Sequence, residues 1–132
     1  MATSGAWGSP FFDLALLRVV QQRYAEARAL SHEGIAINRQ FGDRRAIAWF
    51  LGLLAGTDAA EGRAARAAQL RGAMDGVLDS VGSAVQPSYN TWVGDRLFPA
   101  VRQQLGADTY ERALAAGRAM SLSQALAYAS EM

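Results

Sequence analysis

The sequence predicts an all-α fold, and three observations carry that reading. The stretches between the prolines at 10, 87 and 99 are rich in Ala, Leu, Arg, Glu and Gln, which lose little on entering a helix. No segment sustains the apolar–polar alternation of a half-buried strand, and β-branched runs are few. Apolar residues recur instead at spacings of three and four. With 132 residues, 51% hydrophobic and 19% charged, the chain can form one domain, residues 1–132, with its own core.

Local chemistry places the helices in order. The opening MATSGAWGSP reads as a frayed linker, and Ser9-Pro10 as the N-cap and first residue of a helix running to about Val20. Gln21 to Tyr24 make a turn. A second helix covers about Tyr24 to Phe41, with Ala27, Leu30, Gly34, Ile37 and Phe41 as its buried stripe. Gly42 ends it and Asp43 caps a third helix, about Arg44 to Ala60. Glu61 to Arg63 turn the chain into a fourth helix, whose Ala67, Leu70, Met74, Val77, Leu78 and Val81 share a face, and Gly82 stops it. Ser88 is the expected cap of a fifth helix bearing Tyr89, Trp92, Val93, Leu97, Val101 and Leu105. Pro99 should kink or split that helix near Leu97. Gly106 closes it, and Asp108 with Glu111 resembles a capping box for a sixth helix to about Arg118. Ser121 with Gln124 forms a second such box, opening a last helix to about Ser130.

Composition excludes several kinds of chemistry. There is no cysteine, so disulfides, thiolate metal sites and cysteine nucleophiles are ruled out. Thirteen basic residues, all arginine, nearly balance twelve acids, which gives no basic face for nucleic acid. The apolar stretch near the start is interrupted by Asp13 and Arg18, too soon for a membrane span, and no basic residue precedes it as in a secretory signal. A cytoplasmic protein without membrane contact is expected.

Sliding the chain by 40 residues reveals a repeat. Leu14 falls on Leu54, Ala15 on Ala55, Arg23 on Arg63, Ala25 on Ala65, Ala27 on Ala67, Leu30 on Leu70 and Gly42 on Gly82. Each unit, about 9–42 and 49–82, is a helix, a tight turn and a helix, with residues 88–131 as a C-terminal cap. The alanines stand where antiparallel helices must approach closely. One hairpin cannot hide its apolar face, whereas stacked hairpins can. The repeat predicts like environments for Leu14 and Leu54, and for Leu30 and Leu70.

The segments QQRYAEARAL and EGRAARAAQL resemble the turn and second-helix start of a tetratricopeptide repeat. Tyr24 and Ala27 match its tyrosine and small residue, and Gly62 its turn glycine; Gln22 and Ala64 depart from it, and the period is longer. The resemblance implies a short right-handed α-solenoid. The pieces GDRR, RAAQLRGA and GRAMSLSQALAYA are similar to the C-terminal tails of bacterial LuxR-type transcriptional regulators that carry an NTPase domain. That similarity implies a sensing and assembly module. No phosphate-binding GxxxxGK[ST] loop and no basic helix-turn-helix is present, so the chain reads as a piece of such a regulator or a stand-alone remnant.

Candidate sites follow from the repeat. The turn alignment puts Ser9, Phe12, Leu16, Val19 and Val20 of unit one on a concave groove, with Trp49, Gly52, Gly56, Ala59 and Ala60 of unit two. Phe12, Leu16, Val19, Val20 and Trp49 would be its apolar lining. An open groove this apolar needs a cover: the C-terminal helices, a further repeat or second copy, or a ligand. Arg44 and Arg45, just past a helix N-cap, are a weak candidate anion site. His32 is the only histidine and reads as a surface or half-buried residue. Asp75 and Asp79, four apart, read as a solvated face rather than a shared cation site. The expected function is non-catalytic: protein interaction and sensing through a protein partner or a homodimer, without cofactor or metal. The alternatives are a small-ligand-binding regulatory domain and, further off, a fragment of an enzyme.

Overall fold

In a computed structural model, the backbone is described for residues 4–131 and side chains for residues 11–131. All regular structure in that range is helical: α1 (Ser4–Val20), α2 (Tyr24–Phe41), α3 (Arg44–Ala60), α4 (Ala64–Ser80), the single turn α5 (Pro87–Tyr89), a π-helical turn (Asn90–Gly94), α6 (Asp95–Leu105), α7 (Ala107–Arg118) and α8 (Leu122–Ser130). No helix among the described residues is long and apolar enough to cross a membrane.

The 40-residue period is written into the backbone. Gln22 and Gly62 both adopt positive φ, 62° and 85°, and Gly42 and Gly82 do so at 67° and 66°. The bonds that close each turn coincide: Arg23 N–H to Arg18 O and Arg63 N–H to Asp58 O, each 2.8 Å. After each second helix Asp43 N–H bonds Asn38 O and Ser83 N–H bonds Leu78 O. α1–α2 and α3–α4 are thus two like hairpins, and α3 packs on both helices of the first. Ala15, Ala27, Ala55 and Ala67 are all fully buried.

The environments of the matched leucines differ, against expectation. Leu54 and Leu70 are wholly buried, yet Leu14 is 37% exposed and Leu30 is half-buried. Hairpin two is packed against hairpin one through α3 and against α7 through α4, while no described element covers the outer side of hairpin one. The buried stripe of α2 is correspondingly Ala27, Ser31, Gly34, Ile35 and Asn38, with Ile37 and Phe41 outward. Ser31 and Asn38 are tolerated inside because each donates back to a helix carbonyl, at 2.8 Å. Val81, just past the end of α4, is likewise exposed.

The fourth helix has partners on two sides, which explains its glycines. A Cβ on Gly72 would strike the Leu114 carbonyl, one on Gly76 would lie 2.6 Å from Arg118 O, and one on Gly117 would strike Gln69 O. Backbone therefore meets backbone where α4 and α7 cross. Only glycine at all three positions permits that approach.

Several boundaries differ from the sequence expectation. α1 begins at Ser4, so the opening segment is not a linker from that residue on and Pro10 falls inside the helix; the Ser9 side chain lies outside the described residues. Gln86, not Ser88, is the N-cap before Pro87. Pro99 neither splits nor ends its helix. It deprives the Asp95 carbonyl of a donor, and the turn just before Asp95 is widened, with Asp95 N–H reaching Asn90 O. Asp108 is not a cap either: Gly106 holds that position, and Asp108 sits in the first turn of α7, where its charge favours the dipole. The Asp43 cap and the Ser121–Gln124 box both form as expected.

Candidate interaction site

The expected groove is closed by the chain itself. Phe12, Leu16 and Val19 are buried, Trp49 is half-buried, and only Val20 reaches the surface. Phe12 packs on Trp49 and Phe50 with ring centroids 6.2 and 5.9 Å apart. Gly52 and Gly56 leave space, but Met74 and Tyr89 fill the first and Val93 the second. The Tyr89 hydroxyl donates to Gly52 O at 2.8 Å, and burial raises its pKa well above the ordinary 10. Arg71 lies over the rings of both Tyr89 and Phe98, at 5.4 and 5.2 Å, and fixes the returning segment from behind. Tyr89 and Val93 stand four apart on one face, which leaves Trp92 pointing out.

What remains of the groove is a lip. Leu17, Val20 and Trp92 are 46, 38 and 41% exposed and, with Asp13 and Leu16, border a hollow of about 360 Å³. A second cleft, about 380 Å³, lies between α2 and α8 and is bordered by His32, Arg39, Leu126 and Ser130 among others. His32 has a lowered pKa, first through burial and then through Arg28 and Arg66.

Beneath that cleft lies an ion network that the sequence reading missed. Asp58 is fully buried, with Arg66 Nε 2.9 Å, Arg28 Nη1 3.2 Å and Arg63 Nη1 3.5 Å from its carboxylate. Arg28 also reaches Glu61 at 2.5 Å, and the Glu61 pKa is lowered by Arg63 and Arg28 against the opposing effect of burial. Arg66 donates to the carbonyls of Tyr128 and Ala129 at 2.9 and 2.8 Å, so it caps the negative end of α8. One network ties α2, α3, α4 and α8 together. Its trace in the sequence is a compensated swap: Arg18 and Glu26 of unit one become Asp58 and Arg66 of unit two, and Arg18 Nε lies 3.2 Å from Glu26. A comparison of identities alone passes over such a pair.

The other candidates are accounted for locally. Arg44 and Arg45 are exposed, Arg45 lies 5.9 Å over the Trp49 ring, and the adjacent helix N-terminus already holds the Asp43 carboxylate, 3.0 Å from Ala46 N. Asp75 lies 3.7 Å from Arg71 and 3.8 Å from Arg118, which also pairs with Asp79. Burial raises the Asp75 pKa in spite of those arginines. Among the described residues no cluster of His, Asp or Glu could hold a metal ion. Searches of protein families, of curated proteins and of solved structures find nothing that matches this chain.

Proposed function

We propose that this chain is a protein-interaction module without chemistry of its own. The observation that carries the reading is the division of its apolar surface. The groove is filled by the chain's own Tyr89 and Val93, while Leu14, Leu17, Ile37, Phe41 and Trp92 remain between 37 and 61% exposed on the hairpin and its cap. A contiguous exposed apolar patch is the mark of a surface that another protein covers, and Leu17, Val20 and Trp92 border one such patch together. The paired carboxylates support the same reading, because buried Asp58 and half-buried Asp75 each meet an arginine of another helix and so tie helices together. The resemblance to regulator tails extends the proposal to a sensing and assembly role in a bacterial transcriptional regulator.

Quantitative capture from cell extract tests it. The wild-type chain should recover a protein partner in stoichiometric amount, and the Leu17→Glu/Phe41→Glu variant should lose it while keeping its far-UV spectrum and melting temperature. Capture indifferent to both substitutions, or none by the wild type, refutes the reading. A second reading, small-ligand binding, is favoured by the α2–α8 cleft. A thermal-shift panel tests that one, since a ligand of the folded state raises the midpoint with the logarithm of its concentration.

A further inference from the structure

Hairpin two docks on hairpin one through a face that can be named. Phe50 sits against Gly34, and Asp58 and Glu61 take Arg28. The stripe of α3 carrying Phe50, Leu54 and Asp58 therefore looks at α2, and Leu54 between the two is fully buried. Shifted back by the 40-residue period, this stripe becomes the outer face of hairpin one. Leu14 then stands for Leu54, Arg18 for Asp58, Gln21 for Glu61 and Glu26 for Arg66. The Arg18–Glu26 pair marks the face in hairpin one as Asp58–Arg66 marks it in hairpin two. In hairpin two it is α3 that meets the preceding hairpin, so the equivalent face of hairpin one lies on α1. Leu14 is 37% exposed, where its equivalent Leu54, on the helix that docks against hairpin one, is 0% exposed. Phe41 is 61% exposed, and its equivalent Val81 is 39% exposed even in the docked hairpin two, so the period leaves that end of α2 outside the docking face. No described element lies on this face.

The charges state what would fit it. In hairpin two, two acids receive a base from the preceding hairpin. In hairpin one the signs are exchanged: an arginine replaces Asp58, a neutral glutamine replaces Glu61, and Arg18 and Arg23 share the single acid Glu26. A hairpin docking in the same manner must bring a carboxylate where hairpin one carries Arg28. A second copy of this chain brings none, since it has Arg28 there in its first unit and the buried Ala68 in its second.

We propose that the α1 side of hairpin one, carrying Leu14, Arg18 and Gln21, docks a helical hairpin of a partner protein that presents an Asp or Glu to Arg18. This rests on the interaction-module reading and names the chemistry of the partner. The test extends the full chain at its N-terminus by a duplicate of residues 4–43, once unchanged and once with Arg28→Glu in the duplicate only. The Glu version should unfold in one transition, at a urea midpoint above those of the parent and of the Arg version, and 0.5 M salt should narrow the gap between versions, about a 4–5 Å screening length by interpolation. Equal midpoints for the two versions, or none above the parent, overturn the proposal. So does a parent dimer in sedimentation equilibrium that Leu14→Glu abolishes, which would assign the face to self-pairing. Capture lost with Leu17→Glu alone and kept with Leu14→Glu sinks this proposal and leaves the interaction-module reading standing.

Discussion

Gly72→Ala should destabilise the fold, although alanine is the better helix former. In an exposed helix that exchange gains about 1 kcal/mol. Here the new Cβ would overlap the Leu114 carbonyl oxygen and lie 2.8 Å from its carbon and 3.0 Å from the Leu114 Cα. The obstacle is backbone, so no side chain can swing aside. Helix α7 must retreat by about 1 Å, at the upper end of the roughly 1–3 kcal/mol that overpacking costs. Subtracting the propensity gain leaves a net loss of about 2 kcal/mol. Urea unfolding followed by far-UV circular dichroism measures it, because with a slope of about 2 kcal/mol/M the midpoint falls by about 1 M. Gly117→Ala should behave alike, since its Cβ would overlap Gln69 O. An unchanged or raised midpoint for Gly72→Ala would refute the claim that backbone contact between α4 and α7 is what these glycines serve.

Asp58→Ala should cost about 3–5 kcal/mol, because it leaves Arg28, Arg63 and Arg66 facing a site built for a carboxylate; calorimetric melting measures this. Tyr89→Phe should cost about 1 kcal/mol through the lost bond to Gly52 O and should loosen the groove cover, readable as faster hydrogen exchange in the π-helical turn. Gly62→Gln should cost about 1 kcal/mol, since an L side chain at φ 85° is strained, and Gln22→Gly at the matched turn should be neutral or stabilising in the same urea assay. Stability should fall as pH drops below 6.5: the folded His32 has a lowered pKa, so the unfolded chain binds more protons in that window. The part of that slope owed to His32 should vanish in His32→Gln, measured as the urea midpoint from pH 7 to pH 5.

The local half of this fold is legible in the residues because its causes are local. Asp43 satisfies an amide three residues on, Ser121 and Gln124 satisfy each other, and Gly42, Gly62 and Gly82 take the φ that other residues avoid. These interactions span at most about one turn, and the boundaries of α2 and α3 follow from them. The 40-residue period is legible for the same reason, since it repeats those signals. Which apolar face is covered is a different kind of fact. Whether Leu16 or Leu14 meets water depends on where Tyr89 and Val93 return to the hairpin, and hydrophobic spacing marks a face without marking its partner. The Arg18–Glu26 and Asp58–Arg66 exchange shows the same limit: either order of charges serves the turn, and only the neighbouring helix, through Arg28, makes one of them an interior network. Sequence alone therefore determined the helical class, the Asp43 and Ser121–Gln124 caps and the repetition. Tertiary structure decided the closed groove, the buried carboxylate and the face left open, because each depends on side chains brought together from distant parts of the chain.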